Sequence, residues 1–351
     1  MPIQTAIDSI SQNQGSPFGF KNRIINGGMV IDQRNAGASV TPTSDQYGVD
    51  RFVLRVSQAS KLSMQRNAGS VTPPAGFTNY IGITSLSSYS VTSTDYFVLG
   101  QYIEGVNISD LGWGTASAQT VTLSFWVRSS LTGTFSGIIE NSDVNRSYTF
   151  TYTINSTNTW EKKTITIPGD TTGSWLTTTG IGMRIFFSLG IGSSRSQTAG
   201  SWVAGESFGN SSAVSVVGTN GATFYVTGCQ LEVGRQASSF DFRSYTTELQ
   251  LCQRYYLKLG PGNSFLSYDN YNSTSASCVL NLTFPVAMRA TPTGSYSAIG
   301  DFGFSNTNSG NFGVNGRSTT TGTVGTDASG TGRCQWYTNN ANAFAAFSIE
   351  L

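Results

Sequence analysis

The stretch Val121-Thr122-Leu123-Ser124-Phe125-Trp126-Val127-Arg128 alternates apolar and polar side chains, with Trp126 as the one exception. A two-residue period puts Val121, Leu123, Phe125 and Val127 on one face of a strand and Thr122, Ser124, Trp126 and Arg128 on the other; a helix would mix the two sets. Thr149 to Ile154, Lys163 to Ile167 and Arg184 to Leu189 read similarly, and Ala222-Thr223-Phe224-Tyr225-Val226 begins another strand. Beyond Gly228 the apolar phase passes to Cys229, Leu231 and Val233, which predicts a β-bulge at the glycine. Turn signals at Asn26-Gly27-Gly28, Pro168-Gly169-Asp170 and Thr219-Asn220-Gly221 separate the runs, and Ser/Gly-rich Gly190 to Gly200 reads as a loop. Many short strands punctuated in this way predict an all-β chain, with a sandwich or jelly roll over residues 23–243.

At 351 residues the chain is longer than one average domain needs. Charged residues make up 11%, so Ser, Thr, Asn, Gln and Gly must cover the surface, and the 12% aromatic content argues against disorder. The net charge of +1, without a run of Lys or Arg, gives nucleic acid or an anionic membrane little to hold. No apolar stretch reaches the roughly 18 residues of a membrane span. Met1-Pro2-Ile3-Gln4-Thr5 lacks the basic start of a secretory signal, so release by lysis or another signal-independent route is expected. With no histidine, Ser-His-Asp and Cys-His nucleophiles and mixed Cys/His zinc sites cannot be built. Cys229, Cys252, Cys278 and Cys334 form no CxxC pair and read as packed thiols; no GxxxxGK[ST] phosphate loop is present.

The rest of the chain divides by pattern. Residues 1–22 stand apart: Ile3, Ile7 and Ile10 share a helical spacing before Ser11 to Gly19 breaks it, giving an anchoring arm or a disordered leader. Residues 244–259 read as a short linking helix. Its stripe is Leu249, Cys252, Tyr256 and Leu259, and Thr246 or Thr247 can cap it. The stripe can pack on its own sandwich or on neighbouring copies around an axis. Residues 260–351 read as a smaller C-terminal β domain. Val279 to Pro285 is one strand, Ala343 to Leu351 is a last strand packed through Phe347, Ile349 and Leu351, and Ser305 to Gly332 is a polar insertion.

If Ile103, Leu123, Phe125, Ile185, Phe187, Phe224 and Val226 face the core, then Tyr102, Glu104, Trp126, Arg128, Arg184, Phe186 and Tyr225 face outward. Rings of this kind stack on sugar faces while Arg and Glu bond hydroxyls. The same residue types suit a subunit interface, or a surface covered by the chain itself. Among carboxylates, Glu140 and Asp143 lie near each other, but in a Ser/Asn-rich turn where solvated groups are expected rather than a tuned general acid. Glu104 and Glu232 read as buried hydrogen-bond partners. The sequons at Asn107, Asn145, Asn155, Asn210, Asn272 and Asn281 are expected from composition alone.

Five segments, in order, resemble a family of bacteriophage tail-fibre and virion proteins. They are Asn26-Gly27-Gly28-Met29-Val30-Ile31-Asp32-Gln33-Arg34 followed by Tyr47 to Phe52; Gly100-Gln101-Tyr102-Ile103-Glu104-Gly105 followed by Val121 to Arg128; Gln230-Leu231-Glu232-Val233-Gly234 with Phe240 to Arg243; Glu248-Leu249 to Cys252 through Tyr256; and Phe284-Pro285-Val286-Ala287-Met288-Arg289-Ala290-Thr291-Pro292. The resemblance implies a carbohydrate-binding-module-like jelly roll and a virion component without catalysis, usually a homotrimer. In the leading reading the N-terminal segment docks on other virion proteins and the jelly roll attaches to host surface polysaccharide, while the helix stripe of Leu249, Cys252, Tyr256 and Leu259 packs on its own sandwich or around the trimer axis. A tail fibre is the leading placement and a capsid-decorating fibre the alternative. Modules of this shape often carry a structural calcium, for which Asp32, Asp50, Glu232 and Asp241 are the candidate ligands; no other cofactor is expected. A glycan-binding module from a polysaccharide-degrading system, or a depolymerase tailspike with a paired-carboxylate groove, are the rival readings.

Overall fold

A computed structural model describes residues 20–260, 266–272, 277–329 and 332–351. Most of the N-terminal arm, with Ile3, Ile7 and Ile10, lies outside them. The described residues form two compact units, the first running to Tyr245 and also including Leu351, the second running from Thr246 to Glu350.

The first unit contains β1 (Gln46–Tyr47), β2 (Val53–Val56), β3 (Leu62–Arg66), β4 (Ile81–Ser85), β5 (Tyr96–Glu104), β6 (Val121–Ser129), β7 (Gly133–Asn141), β8 (Arg146–Ile154), β9 (Glu161–Ile167), β10 (Ile181–Ile191), β11 (Trp202–Ala204) and β12 (Thr223–Val233). They make a seven-stranded sheet in the order β1-β2-β5-β10-β7-β8-β11 and a five-stranded sheet in the order β3-β4-β12-β6-β9. The strand pairs are antiparallel, and the chain crosses between the sheets repeatedly, as an all-β jelly-roll sandwich requires. The alternation read from β6 is what holds the sheets together. Val121, Leu123, Phe125 and Val127 are fully buried in one cluster with Ile103, Ile185, Phe187, Phe224 and Val226. Each such side chain contributes on the order of 2 kcal/mol. In β12 the register slips between Thr227 and Gln230, and Gly228 takes a left-handed φ of 61°. After the bulge Cys229 and Leu231 enter the core, while Val233, at the strand end, is exposed.

Buried amides fasten the chain's entry into this unit. Gln101 Oε1 accepts from the Ile25 N–H at 2.9 Å and its Nε2 donates to the Ile25 carbonyl at 2.8 Å, so one side chain replaces a strand partner. Asn22, which the sequence placed in the arm, donates to the Cys229 carbonyl and accepts from the Ile24 and Leu231 N–H groups. Asn26 bridges the Ile31 backbone and the Asp50 carbonyl. A Cβ on Gly27 would collide with the Cys229 carbonyl, which explains the small residue there. Gln101→Ala strands two buried backbone groups; we expect a loss of about 2 kcal/mol, read as a lower urea midpoint at unchanged slope.

The second unit begins with α1 (Tyr245–Gln253), whose first residue closes the first unit. It continues through β13 (Tyr256–Leu259), β14 (Ser267–Asn272), β15 (Ser277–Thr283), β16 (Thr293–Tyr296), β17 (Phe302–Ser305), β18 (Thr307–Gly316), β19 (Thr321–Ala328), β20 (Gly332–Thr338) and β21 (Ala345–Ser348). A six-stranded sheet runs β13-β21-β16-β18-β19-β15 and a three-stranded sheet runs β14-β20-β17. Three expectations are corrected here. The helix of residues 244–259 stops at Gln253, because Tyr256 to Leu259 pair with Ala345 to Ser348 as a strand. The stripe is therefore split: Leu249 and Cys252 are helical, whereas Tyr256 and Leu259 belong to a ladder. The last strand is shorter than residues 343–351, and of its three packing residues only Phe347 is fully buried. Finally, the polar segment Ser305 to Gly332 is no insertion, since it supplies β18 and β19 inside the large sheet. Phe312, Val314 and Val324 point into the core, and Gly322 lies against the Phe347 and Phe284 rings where a Cβ would not fit.

Candidate binding face

Side chains opposite the core on β2, β5, β7 and β10 form the outer face of the seven-stranded sheet. The register sets Arg184 between Tyr102 on β5 and Glu140 on β7, and Phe186 between Gly100 and Ile138. Val53, Val98, Ile138, Phe186, Ile191 and Phe208 make a second apolar cluster there, with Tyr47, Tyr96 and Tyr102 half-buried at its margin. Residues 205–210, which follow the edge strand β11, lie over the β10-β7-β8 side as a strap, with residues 195–197 bonded along them. Ser188 Oγ donates to the Phe208 carbonyl, Thr149 and Ser207 hydroxyls meet at 3.0 Å, Ser147 Oγ donates to the Gly205 carbonyl, and the Tyr96 and Phe208 rings stack at 4.5 Å.

The strip left half-open between the strap and β1 is built from guanidinium groups on rings. Arg34 lies 5.0 Å over Tyr47, Arg55 lies 5.3 Å over both Tyr96 and Phe208, Arg184 lies 5.8 Å over Tyr102, and Arg195 lies 5.9 Å over Tyr96. Carboxylates hold three of these cations in place. Asp45 accepts from Arg55 at 2.8 Å, Glu206 pairs with Arg195, and Glu140 stands 3.5 Å from Arg184. Burial pushes the Tyr102 phenol up, against the pull of Arg55 and Arg184, so it stays a neutral hydroxyl donor. Glu140 departs from its sequence reading: it is a strand residue, fully buried, not a solvated turn carboxylate; Asp143 is exposed. Burial raises its pKa to about 7 and outweighs the Arg184 charge and the Ser207 N–H.

The seven residues expected on one outward surface occupy two. Tyr102, Glu104, Arg184 and Phe186 belong to the face just described, although Glu104 and Phe186 are fully buried. Trp126, Arg128 and Tyr225 belong to the outer face of the five-stranded sheet. Tyr225 is buried there against Tyr80 and Ala68, with Arg128 5.5 Å over its ring and bonded to the Asn158 carbonyl; Trp126 and Arg128 are half-exposed. On both sheets the chain's own loops cover part of what the alternation turned outward.

Asp32, Asp50, Glu232 and Asp241 do not come together as calcium ligands. Among the described residues no group of three or more Cys, Asp or Glu is placed to hold a metal ion. Their oxygens accept protein donors instead: Asp32 from the Asn35 and Gly37 N–H groups, Asp50 from Gln33, Glu232 from Gln230 and Ser238, and Asp241 from the Asn22 N–H. Glu232 is buried in this network.

Sequence reasoning did not gather Trp113, Trp175 and Trp202, which pack edge to face with centroids 4.6, 5.3 and 5.5 Å apart. Asp170 accepts from Trp175 Nε1 and from Nε and Nη2 of Arg146; burial would raise its carboxyl, but these bonds hold it low. Trp113 and Trp175 are buried and belong to the main core, so this cluster packs the sandwich. An open groove of about 520 Å³ between residues 116–120 and 234–236 is lined by small and polar residues with no ring among them, and so lacks a stacking surface.

No family model matches the chain, and no curated relative matches it. Among solved structures, the chain is similar to the enzymatically active domain of tailspike protein 4 from bacteriophage CBA120 (10% identity, TM-score 0.32, covering 61% of this chain and 21% of that one). It is also similar to a family 11 carbohydrate-binding module of a Clostridium thermocellum cellulosomal cellulase (14% identity, TM-score 0.29, 58% and 99%). A third is the module CBM61 in complex with β-1,4-galactotriose (10% identity, TM-score 0.30, 62% and 99%).

Proposed function

We propose that the chain is a non-enzymatic structural subunit of a bacteriophage virion, a trimeric tail fibre whose first unit attaches to host-surface glycan. The five ordered segments that resemble phage virion proteins support the setting. The carrying observation is the half-open strip of Tyr47, Tyr96 and Tyr102 with Arg34, Arg55 and Arg184. Rings offer flat apolar faces to sugar C–H groups, and guanidinium forks bond adjacent hydroxyls while staying charged. Strands fix the three tyrosines, Arg55 and Arg184 before a ligand arrives, so little ordering cost opposes binding. Interfaces also favour Arg and aromatic residues, and burial of this strip between subunits is the second reading.

Two measurements separate the readings. Light scattering on the purified protein should give about three times the 37.4 kDa chain mass; a stable monomer at micromolar concentration counts against the fibre. Tyr102→Ala should weaken binding to host surface polysaccharide about tenfold with folding intact, whereas Trp126→Ala, on the other sheet, should leave it unchanged. Equal loss from both variants, or from neither, removes the strip from the account. Release of reducing sugar from the polysaccharide would show a depolymerase instead.

A further inference from the structure

We propose that Cys278 and Cys334 are a latent disulfide site that joins the two sheets of the second unit under oxidising conditions. Cys278 sits on β15 of the six-stranded sheet and Cys334 on β20 of the three-stranded sheet. Both are fully buried in one core cluster, and the neighbouring Cys334 raises the Cys278 thiol. Trp336 on β20 donates its indole N–H to the Cys278 carbonyl at 3.0 Å, so the two strands are already pinned together at this point. Cys278 and Cys334 share one core cluster, whereas Cys229 belongs to the core cluster of the first unit and Cys252 sits on α1 outside that cluster.

The chemistry is thiol–disulfide exchange with a low-molecular-weight disulfide such as oxidised glutathione. One cysteine thiolate attacks that disulfide, forms a mixed disulfide and releases one small thiol. The second cysteine then attacks the protein-side sulfur and releases the other small thiol. The two protein thiols lose two electrons and two protons, and the reagent gains both. Burial first, and then the neighbouring Cys334, raise the Cys278 thiol, so the folded unit holds little thiolate and the exchange is slow there. The bond therefore forms as the chain folds or when the unit opens. A folded, reduced pool meeting an oxidising exterior would convert gradually.

The test is to refold the full chain with oxidised and reduced glutathione, alkylate under denaturing conditions, and map the peptides by mass. The expected product carries two blocked thiols, Cys229 and Cys252, and one linked peptide pair containing Cys278 and Cys334, lighter by two hydrogens. Its second unit should melt about 10 °C above that of the reduced protein, because a long loop has been closed. Cys334→Ala should lose both the linked pair and the shift. Alkylation of all four thiols after oxidative refolding, or a linkage through Cys229 or Cys252, would overturn the proposal, and neither outcome requires a variant to fold.

Discussion

Replacing Asp95 by alanine is expected to cost the first unit about 3–4 kcal/mol, one of the two largest single-residue effects that its structure implies. The carboxylate is 2% exposed and joins two loops at the start of β5. It accepts from the Thr92 N–H and hydroxyl, the Ser57 hydroxyl and the Tyr89 hydroxyl, each at 2.8 Å, and from Gln58 at 3.2 Å. Burial alone would raise its pKa, but these donors outweigh it and hold the carboxyl well below the usual aspartate range. A depressed carboxyl gives stability that is present above its unfolded value of 3.8 and is lost as pH falls through the folded value. Alanine removes the charge and leaves several donors without an acceptor, so the urea midpoint should drop sharply at neutral pH. The wild-type loss of stability below about pH 4 should flatten in the same variant. Asp95→Asn, which keeps one acceptor oxygen, should fall between the two. A midpoint unchanged by alanine would mean that these loops are held from elsewhere.

Glu140→Gln should act in the opposite direction, and only above mildly acidic pH. The folded carboxyl titrates at about 7 against 4.5 for the unconstrained group. A raised carboxyl means that the folded state holds its proton more tightly. Its stabilising effect is complete below pH 4.5 and is lost as pH rises through 7. At pH 8 the sandwich must bury a carboxylate whose paired cation, Arg184, stands 3.5 Å away, with Arg55 adding a weaker pull. Glutamine avoids that cost while still accepting from the Ser207 N–H, a gain of about 3 kcal/mol at pH 8 that shrinks towards zero at pH 4. Denaturation of both proteins at the two pH values reads the effect. A variant less stable at pH 8 would show that the Arg184 pair outweighs burial.

Period two was enough to place β6, β10 and β12, and the bulge at Gly228 was legible from the phase slip of Cys229 and Leu231. These strands bury large apolar residues on one face, so sequence and packing say the same thing. β18 and β19 were illegible because Gly, Asn, Ser and Thr fill most of their positions, and the Phe347 and Phe284 rings at Gly322, Pro292 at Gly316 and the Cys278 carbonyl at Gly325 take the space that side chains would fill. Residues 256–259 fit a helical stripe as well as a strand, and pairing with a segment some ninety residues later decided the matter. The site was legible by residue type rather than by surface. Tyr102 and Arg184 were found, but alternation within a strand cannot tell which of two sheets it enters, so Trp126, Arg128 and Tyr225 were grouped with them. Nor does it report a distant strap: Phe208 and Ser207 turn an outward Phe186 and Glu140 into buried groups.

Glycan attachment of the proposed kind requires the strip beside the strap to be open in the native protein and able to hold sugar. Backbone hydrogen–deuterium exchange on the purified protein, with and without host surface polysaccharide, tests this directly. Polysaccharide should slow exchange in residues 96–104 and 193–210 while leaving residues 121–129 and 223–233 unchanged. Protection confined to the five-stranded sheet or the second unit, or none at all, would contradict it.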